Sequence, residues 1–292
     1  MTSQLLVILL IDGLILSGVY ALAALGFVII YRATGVFNFA QGELMMFGAY
    51  FFYAFTSQFD LSLGLSAILT LASLAMLGGA LYWLILRPMT TQPLFAAIII
   101  TMGIAILLRA AAGLMWGASS LYPRTLWRGE MVTLGSFGIS VFDLVCISVV
   151  AVTYAAVIAF LRYSLIGLEM RASAENPTLA SQRGINLNKV FAISWVIAAV
   201  SAAAAGAVAS SRTAVGPEIA HLGINAFPAA LVGGLDSIVG TLAGALIVGF
   251  VHTFSSWQFG SDTQDIVSAI ILLIVLLVRP YGLLGTPRIM RL

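Results

Sequence analysis

The chain alternates between long apolar runs and short polar interruptions, and this pattern predicts a helical membrane protein. A helix needs about 20 predominantly apolar residues to cross a bilayer. Six runs approach or exceed that length: Leu5–Tyr31, Leu61–Leu86, Pro93–Trp116, Val141–Leu161, Val190–Ser211 and Val239–Ser256. Shorter apolar stretches at Glu43–Phe55 and Ile266–Val278 are predicted to be further membrane helices.

Two stretches, residues 34–42 and 222–236, fit this pattern poorly. The first, TGVFNFAQG, is too polar and too rich in glycine for an ordinary span, and the second is too short to cross as one helix. Non-helical backbone at membrane depth is tolerated only where protein or a water-filled path surrounds it. We therefore predict broken or re-entrant helices at both stretches and regard them as candidates for a translocation pathway.

The basic residues predict the orientation of the chain. No basic residue precedes the first run, whereas Arg32, Arg87 and Arg279 each follow a run, as does the charged segment 162–189. The excess of positive charge on cytoplasmic loops then places the N-terminus outside. If stretch 222–236 carries the chain back across the membrane, there are nine crossings, and otherwise eight. We expect an all-α polytopic integral membrane protein with about 8–9 transmembrane helices in a single domain, residues 1–292.

Composition supports the membrane assignment and excludes several functions. Only 8% of the residues are charged, compared with about 25% in soluble domains. A net charge of +2 is too small to indicate nucleic acid as a partner. Cys146 is the only cysteine, so no internal disulfide can form. Neither His221 nor His252 has the spacing of a metal ligand, and we expect no metal site.

Three polar residues, Asn38, Gln41 and Glu43, cluster in the first irregular stretch. Polar side chains within spans usually face the bundle interior or water, so they could line the pathway, with Asn38 and Gln41 offering hydrogen bonds to a zwitterion. Alternatively, Asn38 caps the next helix and Glu43 complements its positive end. The glycine and the acid favour capping, and both interpretations remain open.

Asp236 and Arg109 are two further charged residues in apolar surroundings. Asp236 follows two glycines and is either the cap of the next helix or a group near the gate, and capping is favoured because aspartate is a preferred cap. Arg109 lies late in its run. It could bind a substrate carboxylate, but we favour a side chain that extends to the outer membrane interface.

The polar segment 162–189 separates two long apolar runs and has a regular structure of its own. Asn176 suits the cap of a helix, Pro177 its first position, and Gly184 a left-handed residue that ends it. We predict two short helices, Leu165–Ala174 and Pro177–Arg183, with a bend between them. Small residues on them would let another surface approach closely, which suits the docking of a soluble partner. A solvated connector whose arginines only fix topology is the alternative.

Several stretches resemble one family of transport proteins. RASAENPTLASQRGIN, residues 171–186, resembles the cytoplasmic coupling loop of ABC-transporter permeases, in the form found in the branched-chain amino acid uptake family. GVYALAALGFVIIYRATGVFNFAQGELMMFGAY resembles the N-terminal signature of that family, AALVGGLDSIVGTLAGALIVG its late glycine-rich segment, and LLVRPYGLLG its C-terminal end. The resemblance spans nearly the whole chain and is closer to the smaller of the family's two permeases. Asn176-Pro177 is a departure, because an acidic residue followed by a non-proline is common there.

The resemblance implies an ABC importer permease fold in the bacterial cytoplasmic (inner) membrane and a set of partners. These are a second permease, two ATP-binding subunits and a periplasmic or extracellular substrate-binding protein. The loop 162–189 would sit in a groove on an ATPase, which binds the ATP and Mg²⁺, and this chain would bind no cofactor. The matching docking residues are Arg171, Ala172, Glu175, Ala180, Gly184, Ile185 and Asn186.

The residues themselves leave room for other functions. No G-x-x-x-x-G-K-[ST] motif occurs, so the chain cannot cradle ATP in that way, and the energy must come from a partner or an ion gradient. A stand-alone ion-coupled secondary transporter also uses broken helices, with Glu43 and Asp236 as its only plausible coupling acids. An intramembrane enzyme is disfavoured, because no H-E-x-x-H occurs and GGLD at 233–236 does not match G-x-G-D.

Overall fold

The computed structural model describes residues 3–89, 92–117, 119–124, 130–134, 137–260 and 263–285. Within these ranges the chain forms α-helices joined by short connections. They are α1 Ser3–Thr34, α2 Gln41–Tyr53, α3 Leu63–Leu81, α4 Leu94–Trp116, α5 Val141–Tyr163, α6 Leu165–Glu175, α7 Pro177–Gln182, α8 Leu187–Arg212, α9 Glu218–Ile224, α10 Phe227–Gly233, α11 Ile238–Phe259 and α12 Gln264–Val278. Among the described residues, six segments are long and apolar enough to cross a membrane, namely α1, α3 with its extension, α4, α5, α8 and α11.

Short segments of other geometry complete the elements. The helix α2 continues as a π-helix at Ala54–Gln58, and α3 continues as a π-helix at Tyr82–Leu86 and a 3₁₀ turn at Arg87–Met89. The loop after α4 contains an antiparallel hairpin of β1 (Met131–Leu134) and β2 (Phe137–Ser140). Its branched and aromatic residues favour pleated backbone. The hairpin is confined to this loop, and the all-α expectation for the membrane protein is confirmed.

The centre of the molecule consists of α1, α2, α8 and α11, which pack closely because small residues line their contacts. Gly48 on α2 lies directly against the backbone of Ala203 on α8, and Gly206 on α8 lies against the carbonyl of Met45. A Cβ at either glycine would overlap the neighbouring backbone. Small residues let helix backbones approach in lipid, where van der Waals packing drives helix association.

Contacts between loops confirm which segments share a side of the membrane. At the end predicted to face outwards, Leu121 and Val215 exchange two backbone hydrogen bonds, and Arg124 forms an ion pair with Asp60. At the opposite end, the Tyr82 hydroxyl donates to Asn188 Oδ1 at 3.1 Å. These contacts join α3, α4 and α8 as the predicted alternation of runs requires, and we call the two ends the outer end and the inner end.

Both irregular stretches are broken, as predicted. Residues 35–40 are non-helical between α1 and α2, and α9 and α10 are separated at residues 225–226. Beyond α10, Asp236 attracts Arg32 electrostatically, and Arg171 repels Arg32. Because Arg32 and Arg171 belong to the inner end, α9 and α10 together bring the chain back from the outer end. The total of eight or nine crossings stays a prediction.

Candidate functional site

The non-helical connection between α1 and α2 is held by buried amide side chains. Asn38 Oδ1 accepts a hydrogen bond from the backbone N–H of Ala40 at 3.0 Å, and Asn38 Nδ2 donates to Gln41 Oε1 at 3.3 Å. Gln41 Nε2 in turn donates to the carbonyl of Ala198 on α8 at 3.2 Å. The Gln41 amide occupies the space that a Cβ at position 26 of α1 would need, so glycine fits there without a clash. Both amides are fully buried, so they stabilise the bend here.

The predicted cap of α2 needs a correction. The residue at the N-cap position is Ala40, which makes no side-chain cap, and Asn38 bonds the backbone two residues further on, before the helix begins. The turn formed by Asn38 therefore precedes the helix and shapes its entry. Glu43 does lie in the first turn of α2, where a carboxylate complements the positive helix end.

Glu43 also makes an ion pair with Arg109 of α4, which the sequence did not predict. Arg109 Nη2 lies 2.7 Å from Glu43 Oε1; the Glu43 side chain is only 2% exposed, and that of Arg109 is 42% exposed. Glu43 Oε2 is buried and has no hydrogen-bond partner among the described residues. An unsatisfied buried acceptor costs about 1–3 kcal/mol, and more when it is charged. Neither expectation for Arg109 included a partner on α2, which is 66 residues away in sequence.

Aromatic rings lie next to this ion pair. Trp116 of α4 stacks on Tyr50 of α2 with ring centroids 4.8 Å apart, and it contacts Phe47 and Phe51 edge to face at 6.1 and 5.9 Å. Trp116 and Phe51 are half-buried, whereas Phe47 and Tyr50 are buried. The rings therefore form a partly open apolar wall on the outer side of the charged pair.

A cavity of about 1430 Å³ opens at the inner end. We call it the inner cavity, and its walls come from the α1–α2 connection, the inner ends of α3, α4 and α8, and the two short helices α6 and α7. It is lined by charged residues of distant elements, among them Arg32, Glu175 and Asp236, and it reaches Thr101 on α4. The Thr101 hydroxyl accepts a hydrogen bond from the backbone N–H of Phe39 at 3.3 Å. The cavity thus extends from the inner end towards the first irregular stretch.

Asp236 is placed at this cavity and does not cap α11. The cap is Ser237, whose hydroxyl accepts a hydrogen bond from the N–H of Gly240 at 2.9 Å. The favoured capping interpretation of Asp236 is therefore wrong by one residue, because α11 begins at Ile238 and Ser237 occupies its N-cap position. Asp236 instead lines the inner cavity together with Arg32, with which it interacts electrostatically.

The charged segment forms the predicted pair of helices, α6 and α7, which we call the inner hairpin. Asn176 caps α7 by accepting from the N–H of Leu179 at 3.0 Å, and Pro177 begins the helix. Gly184 follows with φ of +86°, the left-handed conformation expected of it. Arg171 donates to the carbonyl of Leu161, which fastens the hairpin to the inner end of α5.

Most of the predicted docking residues lie on the exposed surface of the inner hairpin. Arg171, Ala172, Glu175, Gly184 and Asn186 are exposed. Ile185 is half-buried, and Ala180 is buried, where its carbonyl accepts hydrogen bonds from Arg183 and Ile185. Ala180 therefore closes the end of α7 in this conformation. Asn186 also caps α8 by accepting from the N–H of Lys189 at 3.2 Å.

Sequence reasoning missed one exposed residue of the inner hairpin, Leu179. Its side chain is 56% exposed on α7, among small and polar neighbours. A single exposed apolar residue is common on protein surfaces, so Leu179 is a docking candidate only because the same hairpin also exposes the charges of Arg171 and Glu175. The sequence shows that α7 has no other large apolar residue.

Comparison with known proteins gives a consistent result. The family model described as "Branched-chain amino acid transport system / permease component" matches residues 9–276. The permease LivH of the high-affinity branched-chain amino acid transport system of Escherichia coli is 33% identical, over 95% of each chain. LivH of Salmonella typhimurium is 32% identical over 95% of each chain, and BraD of Pseudomonas aeruginosa is 31% identical over 96% of each.

Proposed function

The chain belongs to the branched-chain amino acid transport permease family, and from this premise we propose that it imports branched-chain or related amino acids as part of an ATP-driven complex. It is a transport permease, which argues against a stand-alone ion-coupled transporter and against an intramembrane enzyme. In the proposed complex it forms the path through the bacterial cytoplasmic membrane with a second permease. A periplasmic or extracellular binding protein delivers the substrate, and two partner subunits bind and hydrolyse ATP.

The inner hairpin is the observation that carries this proposal. It lies at the inner end, outside the apolar helices, and its exposed side combines charges at Arg171 and Glu175 with the apolar Leu179. Ser164 and Asn176 cap its two helices, and the Arg171 contact to the carbonyl of Leu161 ties α6 to α5. An exposed element attached in this way can transmit the movement of a bound ATPase to α5.

The inner cavity supports the direction of this coupling. Glu175 of the inner hairpin, Asp236 at the turn before α11 and Arg32 at the end of α1 line the same cavity, and Arg32 interacts electrostatically with Asp236 and with Arg171 of α6. A displacement of α6 would therefore change the electrostatic surroundings of both α1 and α11. These two helices pack directly on one another, as Gly249 of α11 lies against Ser17 of α1.

The test compares charge changes at the two ends of the molecule. Glu175→Lys and Leu179→Asp should each weaken co-purification of the ATPase subunit by about tenfold, which corresponds to about 1.4 kcal/mol, because each places an unfavourable charge in the contact. Glu130→Lys makes the same charge change on an exposed residue of the outer end and should leave co-purification unchanged. Normal assembly of both hairpin variants would contradict the docking role.

A reconstitution experiment tests the function as a whole. Proteoliposomes with the second permease, the ATPase subunits and the binding protein should accumulate L-leucine only when ATP is supplied on the side of the inner hairpin. Uptake by this chain alone under a proton or sodium gradient would overturn the proposal.

A further inference from the structure

The ion pair between Glu43 and Arg109 leaves hydrogen-bonding capacity unused. A guanidinium can hold both oxygens of a carboxylate in a two-pronged contact. Here only Oε1 of Glu43 is bonded, and Oε2 is buried without a partner among the described residues. Arg109 is 42% exposed, so part of its guanidinium faces open space on α4. The two charges balance, but Glu43 Oε2 and part of the Arg109 guanidinium still lack a hydrogen-bond partner among the described residues.

The exposed surface around Arg109 is otherwise apolar. Ile106 and Leu107 before it and Leu114 after it are all exposed. A charged side chain within a membrane span is costly when it faces lipid and usually faces the bundle interior or a water-filled cavity. The position of Arg109 therefore indicates a hydrated or protein-lined space beside α4.

The aromatic wall lies on the outer side of the ion pair on both helices. Phe47 and Phe51 follow Glu43 by one and two turns on the same face of α2, and Trp116 follows Arg109 by two turns on α4. Both helices run towards the outer end. A molecule that comes from outside thus meets half-buried rings first and the two opposite charges next.

We propose that Glu43, Arg109 and the wall formed by Phe51 and Trp116 are a transit site for a zwitterionic amino acid with an apolar side chain. The inference deepens the proposed function and rests on it. The carboxylate of the substrate bonds Arg109, its ammonium group bonds Glu43 Oε2, and its side chain packs on the rings. When the substrate binds, the Glu43–Arg109 ion pair opens, and each of the two side chains forms an ion pair with the substrate instead.

Such an exchange suits a transport path. Conduction requires a site that is favourable enough to enter and weak enough to leave. Because the Glu43–Arg109 contact re-forms when the substrate departs, neither charge is left alone, and release is not opposed by an uncompensated buried carboxylate. Below the site, Thr101 lies about two turns closer to the inner end on α4 and already lines the inner cavity, which gives the substrate a continuation inwards.

Binding is measured by saturation-transfer NMR on the purified, nucleotide-free complex without its binding protein, so that only the permease site contributes. L-leucine should give a clear saturation signal. The signals of 3-methylbutylamine, which lacks the carboxylate, and of 4-methylpentanoate, which lacks the ammonium group, should each be about tenfold weaker. That factor corresponds to the loss of one hydrogen bond to a charged group. Equal signals from all three compounds would overturn the proposal.

Variants separate a transit site from a structural ion pair. The double variant Glu43→Gln/Arg109→Gln removes both charges with little change in shape, so a merely structural pair would leave binding and transport near the wild-type level. The transit site predicts that the double variant loses the L-leucine signal and imports about tenfold less L-leucine per ATP hydrolysed. Asp60→Asn/Arg124→Gln, which neutralises an exposed ion pair of the outer end, is the matched control and should behave as the wild type.

A variant of the aromatic wall provides an independent test, because it leaves both charges intact. Trp116→Ala should weaken the L-leucine signal several-fold and leave the signal of glycine, which has no side chain to pack, unchanged. An equal loss for both amino acids, or no loss for either, would contradict the assignment of the wall. If the wild-type complex shows no ATP-driven uptake, the proposed function fails; if it transports and the double variant does so equally well, the transit site alone fails.

Discussion

The inner hairpin and the core of α1, α2, α8 and α11 are stabilised over very different distances along the chain. In the inner hairpin, Asn176 caps α7 through Leu179, three residues away, and Gly184 ends the same segment. In the core, Gly206 meets Met45, and Tyr20 meets His252. Locally stabilised structure leaves its outward surface available for a partner. The core, by contrast, uses its small residues and polar groups for internal contacts.

The largest effect is expected where backbone approaches backbone. In Gly206→Val the side chain would overlap the carbonyl of Met45 and the amide of Ala49, so α2 and α8 must separate. We expect a loss of about 3 kcal/mol or more in the free energy of unfolding, since overpacking against backbone cannot relax easily. Thermal unfolding in detergent measures it. Gly103→Val is the control, because no atom of the described residues lies within 4 Å of its Cβ position. Similar unfolding midpoints for the two variants would contradict the tight contact at Gly206.

The second-largest effect on stability is expected at a buried chain of hydrogen bonds through His252. His252 Nδ1 lies 2.9 Å from the Tyr20 hydroxyl of α1, and its Nε2 lies 2.6 Å from Ser268 Oγ of α12. His252→Leu leaves two buried hydroxyls unsatisfied and should cost about 2–3 kcal/mol. The triple variant with Tyr20→Phe and Ser268→Ala removes those hydroxyls and should recover most of the loss. A triple variant less stable than the single one would show that packing, and not hydrogen bonding, sets the effect.

In the inner hairpin the expected effects are smaller and concern transport. Gly184→Val puts a β-branched residue at φ of +86° and should cost about 1–2 kcal/mol, which distorts the end of α7. Gly184→Asn adds a side chain of comparable size that tolerates this conformation, and no atom in the described part of the chain lies within 4 Å of the Cβ position. ATP-driven uptake should therefore fall strongly in the first variant and little in the second. Equal losses would point to contact with the partner instead of backbone strain.

The smallest effect is expected at the cap of α7. Asn176→Ala removes the hydrogen bond to the N–H of Leu179 and should destabilise α7 by about 1 kcal/mol, whereas Asn176→Asp retains an acceptor and should be nearly neutral. Hydrogen exchange of the α7 amides reports this change directly, while the amides of α8 should be unaffected. Faster exchange throughout α8 would mean that the two regions are not independent.

Local signals in the sequence predicted the hairpin well. Asn176-Pro177 and Gly184 each act within a few residues, so the two helices and the bend between them were placed nearly to the residue. The breaks at 34–42 and 222–236 were also predicted, because helices cannot span where polar residues and glycines interrupt them. The capping roles of Asn38 and Asp236 were misplaced, because the N-cap positions are Ala40 and Ser237, and the exact first residue of a helix depends on the backbone around it.

Local signals were enough to identify a helical membrane protein with a charged helical hairpin at one end, because hydrophobic length and helix capping act over a few residues. The contacts between distant residues emerged from the folded arrangement alone: Glu43 meets Arg109, His252 joins α1 to α12, and Asp236 interacts with Arg32. Such pairs depend on which helices become neighbours. That choice is made by the fit of glycines and alanines across the whole bundle, which no single stretch of sequence contains.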